Sequence, residues 1–309
     1  MNEKTYDVLI VGGGPGGYTA ALYCARAGLS VAVLEQLAPG GQMATTELVE
    51  NYPGFPGGID GFELGDAMRR GAERFGAETV LAETLRAELT GTLKRLETSA
   101  GTYLGRAVVV ATGAKPRTLG VDREEELRGR GVTYCATCDG MFFRNKEVVV
   151  VGGGNSAVAD ALVLAKLCKK VTLVHRRDSL RAPKTSLDAL KAVGVEIVWN
   201  SVVAELLGQQ RLEGVTLRDV VTGECRKVAC EGLFVAAGRV PDTALFRAEL
   251  EVDEQGYLVA DETTRTCLPG VYAVGDVRQK PLRQIVTATA DGAVAAHFIE
   301  EYLAEVTPG

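Results

Sequence analysis

A short apolar strand that runs into a glycine turn occurs twice in this chain, and the two copies align without a gap at an offset of 140 residues. The first copy spans 7–17, with turn residues Gly12, Gly14, Pro15 and Gly17. The second spans 147–157, with Gly152, Gly154, Asn155, Ser156 and Ala157 in the same places. In such a turn the first glycine reverses the chain and the second lets backbone approach a diphosphate. The third small residue keeps the following helix close to the strand. The phosphate then meets the free N–H groups and the positive end of that helix. One such turn is an ordinary βα connection. Two in register, each after an apolar strand and before a helical stretch, restrict the chain to a pair of α/β nucleotide-binding units.

The same offset separates the residues expected to choose the nucleotide. The strand after the first turn ends at Glu35, eighteen residues past Gly17. A carboxylate there accepts hydrogen bonds from a ribose 2′-hydroxyl. At the matching place in the second unit stands His175, followed by Arg176 and Arg177, with Arg181 close behind. Guanidinium groups bind a 2′-phosphate that a carboxylate would repel. The first site therefore suits FAD and the second NADPH rather than NADH.

Between the two turns lies Cys135-Ala136-Thr137-Cys138-Asp139, ending thirteen residues before Gly152. Two cysteines at this spacing can cycle between dithiol and disulfide. Embedded between two nucleotide turns, they point to electrons passing from a nucleotide to a disulfide. The other cysteines, Cys24, Cys168, Cys225, Cys230 and Cys267, make an odd total of seven. That count argues against a structural disulfide framework. Cys24 and Cys168 fall in apolar helical stretches and are expected in the core, while Cys225 and Cys230 flank an expected β-hairpin. With two histidines and no second Cys-x-x-Cys, no metal site is expected.

The 309 residues, 46% hydrophobic and 24% charged, allow two domains of ordinary size. A net charge of −6 without a basic cluster disfavours binding to nucleic acid or to a membrane surface. No apolar run reaches bilayer-spanning length, and the N-terminus lacks a signal-peptide pattern, so a cytoplasmic protein is expected. Val109–Gly113 is echoed by Phe234–Gly238, and a late strand ends in Gly275-Asp276, with Asp276 aimed at a flavin ribityl hydroxyl. The expected fold is thus α/β, with two Rossmann-like, three-layer dinucleotide-binding domains. An FAD domain at 1–114 and 246–309 is interrupted by an NADPH domain at 115–245 that carries the cysteine pair. Hinges are expected near 113–117 and 243–248.

With these residues in view the chain closely resembles the low-molecular-weight thioredoxin reductases of bacteria, a class of pyridine nucleotide-disulfide oxidoreductases. The resemblance runs along essentially the whole length. It rests on Gly12–Gly17, Gly40-Gly41-Gln42, Glu50-Asn51-Tyr52-Pro53-Gly54, Ala111-Thr112-Gly113 and Cys135–Gly140. It continues through Gly152–Ala157, His175-Arg176-Arg177 with Arg181, Gly275-Asp276 and Arg283-Gln284-Ile285. It implies that Gly41, Gln42, Asn51, Thr112, Gly113, Gly275, Asp276, Arg283, Gln284 and Ile285 lie near the flavin. It also implies a homodimer and an electron path from NADPH through FAD and the Cys135–Cys138 disulfide to thioredoxin or a thioredoxin-like protein.

Asp139 is then the acid/base for a thiol, its other reading being a helix N-cap. Cys138 is expected nearer the flavin. The inserted domain carries both the nicotinamide site and the cysteines, so it is expected to rotate between two arrangements. Arg130, Met141, Phe142 and Phe143 flank the cysteines and, where exposed, would meet the protein partner. The competing activity is an NADPH- or ferredoxin-dependent flavoprotein disulfide reductase or oxidase acting on another acceptor.

Overall fold

The computed structural model describes residues 4–180 and 184–306. These fall into two compact units, one running up to Lys115 and resuming at Val240, the other covering Pro116–Arg239. The first unit opens with β1 (Lys4–Val11), α1 (Pro15–Arg26), β2 (Val31–Glu35), α2 (Gly61–Glu73), β3 (Glu78–Leu81), β4 (Thr84–Glu88), β5 (Lys94–Thr98) and β6 (Gly101–Val110). Strand β7 (Ala114–Pro116) leads into the second unit. There follow β8 (Val132–Thr133), α3 (Ala136–Asp139), β9 (Glu147–Val151), α4 (Asn155–Leu164), β10 (Lys170–Val174) and α5 (Lys184–Ala192). The second unit continues with β11 (Glu196–Val198), β12 (Ser201–Leu207), β13 (Gly214–Asp219), β14 (Cys225–Ala229) and β15 (Gly232–Val235). On the way back β16 (Arg239–Pro241) pairs with β7, and β17 (Val271–Ala273) and α6 (Ile285–Val306) complete the first unit.

The repeat seen in the sequence is a repeat of sheet order. In the first unit β3, β2, β1 and β6 lie side by side in parallel, with β17 parallel along the far side of β6. In the second unit β11, β10, β9, β15 and β8 take the same places, also all parallel. Each unit adds antiparallel strands: β5 and β4 extend the first sheet, and β12, β13 and β14 form a separate one. The α/β, Rossmann-like class expected from the two turns is the class observed.

The central strands are runs of Val, Leu and Ile because both faces of a parallel sheet are covered. In β1, Val8 and Ile10 face a core built with Ala20, Ala21 and Cys24 of α1 and Ala295, Ala296 and Ile299 of α6. Leu9 and Val11 point the other way, toward Leu89, Leu96, Phe246 and Leu250. In β9, Val148 and Val150 meet Ala157, Ala161 and Leu164 of α4, while Val149 meets Leu206, Leu212, Val215 and Leu217. Each unit therefore has the three-layer build. Cys24 is a buried core residue as expected, and the half-buried Cys168 packs against the α4-side core.

Helices α1 and α6 pack closely because glycine faces glycine. A Cβ on Gly292 would stand 2.3 Å from the Gly16 carbonyl oxygen and 2.8 Å from the Ala20 nitrogen, closer than side-chain carbons approach backbone. Gly292→Ala is therefore expected to push α6 away from the first glycine turn. The loss of stability should be about 1–3 kcal/mol, as for other overpacked sites. A urea midpoint equal to the parent's would show that the contact is slack.

Candidate nucleotide turns and redox pair

In the first unit the strand register sets the expected residues along one sheet edge. Val11 pairs with Leu34 and with Val110, and Val110 with Ala273, so the C-terminal ends of β1, β2, β6 and β17 lie level. Ligands of open α/β sheets bind along this edge. Gly12 turns the chain at φ +107°, where a Cβ would lie 2.5 Å from the Ala111 carbonyl oxygen. A Cβ on Gly17 would overlap the Gly12 carbonyl oxygen at 2.0 Å, so only glycine allows α1 to start this close to the strand. Gly14 caps α1 with no side-chain hydrogen bond, and a Cβ there would meet nothing within 4 Å. The first N–H groups of α1, after Pro15, thus have no side-chain cap.

Glu35 closes the mouth of this turn. One carboxylate oxygen accepts from the Gly13 N–H at 2.6 Å and the other from the Leu37 N–H at 3.0 Å. Gly41 sits against Gly14, with its Cβ position 3.4 Å from the Gly14 Cα, and the Gln42 amide donates to the Ala114 carbonyl beside Gly113. The Asn51 amide donates to Gln284 Oε1 at 3.0 Å, and the Thr112 hydroxyl to the Asp242 carbonyl at 2.6 Å. Gly275-Asp276 follows β17. The Arg283 guanidinium reaches the Asp276 carbonyl at 3.5 Å and stacks 3.8 Å from the Tyr257 ring, and Ile285 begins α6.

The second unit repeats the turn. Val151 pairs with both Val174 and Val235, levelling β10, β9 and β15, and Phe234 pairs with Thr133, bringing the end of β8 to the same edge. A Cβ on Gly152 would stand 2.6 Å from the Ala157 Cβ and from the Ala236 carbonyl oxygen. Gly154 caps α4 without a side-chain bond, and Asn155 and Ser156 are exposed. Arg176 and Arg177 are exposed past β10, whereas His175 is buried. A Cβ on Gly153 would strike the imidazole at 2.0 Å, and the Trp199 ring meets the imidazole edge-on at 6.4 Å. His175 thus supports the turn from beneath instead of facing solvent beside the arginines. Arg181 lies outside the described residues.

The cysteines follow β8 directly. Cys135 and Cys138 form a disulfide with Cα atoms 5.3 Å apart. Cys135 caps the single turn of α3, its sulfur accepting from the Cys138 N–H at 3.2 Å. Asp139 ends that turn and caps nothing with its side chain, so the N-cap reading does not hold. Its carboxylate accepts from the Thr133 hydroxyl. Burial pushes the Asp139 pKa up from the carboxylate range, opposed by the Thr133 bond and the Arg128 charge. Met141 and Phe142 are exposed at 51% and 42%, and Arg130 is exposed, but Phe143 is not a surface residue. It packs edge-on against Phe234 at 5.1 Å in the core. Cys225 and Cys230 are free thiols, the first exposed and the second buried with its pKa pushed up to about 12.

Two supports of the pair carry no sequence signature. Thr133 positions Asp139 from six residues upstream. Glu124, 4% exposed, accepts from the backbone N–H groups of Leu119 and Gly120 and from the Tyr134 hydroxyl, each at 2.9 Å. That anchors the residue before Cys135, and the Arg128 guanidinium covers the Tyr134 ring at 5.3 Å. In the other unit, the Asp291 carboxylate accepts from the Gly275 N–H at 2.9 Å.

The raised pKa of Asp139 sets a pH dependence. The folded chain holds this proton to higher pH than the unfolded chain. The group's stabilisation is therefore full below about pH 4, the unfolded value, and is lost as pH rises through the folded value. Asp139→Asn should accordingly be more stable than the parent at pH 7, with the difference vanishing toward pH 4. Urea midpoints across that range check the sign, and a variant less stable at pH 7 would reverse it.

Comparison with known proteins places this geometry among flavin- and nucleotide-dependent enzymes. The profile described as pyridine nucleotide-disulphide oxidoreductase matches residues 6–292. A thioredoxin reductase of Streptomyces clavuligerus is 50% identical over 302 residues, covering 96% of this chain and 94% of the relative. One from Bacillus subtilis is 44% identical, covering 98% and 96%. The crystal structure of thioredoxin reductase from Streptococcus pyogenes superimposes with a TM-score of 0.91 at 45% identity, covering 98% of this chain and all of that one. The resemblance read from the motifs is borne out.

Proposed function

The chain belongs to the pyridine nucleotide-disulphide oxidoreductase family, and from that membership we propose that it is an NADPH-dependent thioredoxin-disulfide reductase. The observation that carries the reading is the Cys135–Cys138 disulfide at the same sheet edge as the second glycine turn. The acceptor is thioredoxin or a thioredoxin-like protein, the substrate in the relatives' names. The proposed enzyme is a homodimer, as the resemblance implies. It works in the cytoplasm, a setting supported by five cysteines that stand as free thiols. No helix among the described residues is long and apolar enough to cross a membrane.

The residues present fit both nucleotides. FAD fits the first unit: its diphosphate would meet the uncapped start of α1 at Gly14, beside Gly41 and Gln42, with Glu35 taking the ribose hydroxyl. Thr112, Gly113, Gly275, Asp276, Arg283, Gln284, Ile285 and Asn51 complete that edge. NADPH fits the second: Gly152, Gly154, Asn155, Ser156 and Ala157 cradle the diphosphate and the exposed Arg176 and Arg177 take the 2′-phosphate. When bound, FAD supplies two-electron exchange between a nicotinamide and a disulfide.

The protein's own chemistry is thiol–disulfide exchange. One sulfur of the reduced pair, as thiolate, attacks the partner's disulfide, whose S–S bond breaks as a mixed disulfide forms. The second sulfur displaces the partner, closing Cys135–Cys138 and leaving the partner a dithiol. Two electrons pass outward, and the two protons taken up by the partner's thiolates come from the cysteine pair and solvent. Asp139, the residue after Cys138 and one whose pKa burial raises, holds and returns a proton in this reading. Because the nucleotide turn and the cysteines ride on one unit, that unit changes its orientation during turnover.

Two sets of variants test this. Arg176→Ala with Arg177→Ala should raise KM for NADPH about tenfold or more while leaving NADH nearly unchanged, because only the 2′-phosphate contact is lost. Cys135→Ser and Cys138→Ser should each abolish NADPH-dependent thioredoxin reduction while NADPH still reduces the flavin. NADPH consumption with oxygen that is undiminished by either cysteine change, with no thioredoxin reduction by the parent, would favour the other reading, a flavoprotein oxidase with accessory cysteines.

A further inference from the structure

We propose that Asp291 is a positioning residue for the cofactor turn Gly275-Asp276, held in place by two buried cations. The inference rests on the reading above that this turn contacts FAD. Strand β17 is only three residues long, and the chain leaves it through a single 3-10 turn, Gly275–Val277, that opens at φ +73°. The N–H of Gly275 is held by one carboxylate on α6. The same Asp291 oxygen accepts from the Gly275 N–H at 2.9 Å and from the Lys280 ammonium at 2.7 Å, and lies 3.6 Å from the Arg278 Nε. The side chains of Arg278 and Lys280 are 6% exposed and that of Asp291 is 12%.

Three features make this more than an ordinary ion pair. First, two buried cations share one oxygen of the Asp291 carboxylate. Neutralising Asp291 would take a counter-charge from both, which buried sites tolerate poorly. Second, Lys280 also donates to the Thr287 carbonyl at 3.1 Å, tying the loop before α6 to the first turn of the helix. Third, the next residue, Gly292, is the point where α6 rests on the first glycine turn through the Gly16 carbonyl. Adjacent residues of one helix thus fix both turns proposed to hold FAD: Gly292 by close approach and Asp291 by hydrogen bond. Arg283 pins the far side of Asp276 through its carbonyl.

The test compares flavin binding in four full-length proteins: the parent, Asp291→Asn, Lys280→Met and Leu303→Ala. Leu303 is a 4% exposed core residue near the other end of α6, so Leu303→Ala destabilises the helix without touching the turn. FAD is stripped and added back, and affinity is read from quenching of flavin fluorescence. Visible circular dichroism at saturation reports the flavin's surroundings. Asp291→Asn should weaken FAD about tenfold or more, the loss expected when a buried donor loses its charged acceptor. It should also alter the dichroism. Lys280→Met, which keeps the acceptor but frees it, should do both to a smaller degree. Leu303→Ala should lower the unfolding midpoint and leave affinity and dichroism as in the parent. Parent-like FAD affinity and dichroism in folded Asp291→Asn overturn the proposal. Should that variant not fold, the same result for Lys280→Met overturns it. A parent that binds no FAD overturns the reading beneath it instead.

Discussion

Everything in this molecule depends on how closely backbone can approach backbone at the strand-to-helix turns. At Gly17 the space that a side chain would fill is taken by the Gly12 carbonyl, and at Gly152 by Ala157 and the Ala236 carbonyl. Those approaches pull α1 and α4 down onto their sheets and leave the first N–H groups of each helix uncapped. Helix starts of this kind attract phosphate. The two proposed nucleotide sites are therefore a consequence of packing: the close approach at each turn also leaves the helix start without a side-chain cap.

Burial of charge is the second recurring device. Glu124, Asp139 and Asp291 are carboxylates that face inward, and each is met by specific donors. Their burial costs free energy unless those donors stay in place, so each one fixes the geometry of its neighbours. Glu124 fixes the approach to Cys135 and Asp291 fixes Gly275. Asp139 has a pKa raised by burial, and the proton exchange proposed for it draws on that shift.

Much of this was legible in the sequence because it is local. The glycine turns, the cysteine pair and the Arg176-Arg177 pair are short patterns whose chemistry follows from residue type and spacing, and their repetition gave the sheet order twice. What escaped is long-range. Asp291 lies sixteen residues from Gly275 and Glu124 ten from Tyr134, and no periodicity marks either pairing. His175 was grouped with the arginines by adjacency, but strand alternation turns its ring inward under Gly153. Phe143 sits beside the exposed Met141 and Phe142, yet the tight turn after α3 sends it into the core. Neighbours in sequence part company wherever the backbone turns, and composition does not say which side each one takes.

The central claim is a single electron path from NADPH through the flavin and Cys135–Cys138 to a protein disulfide. It is tested most directly by anaerobic titration of the FAD-loaded protein with NADPH, followed at the flavin absorbance, with oxidised thioredoxin added at the end. The account predicts bleaching by NADPH and recovery of the colour with thioredoxin. A flavin that NADPH does not bleach, or that stays bleached when thioredoxin is added, would contradict it.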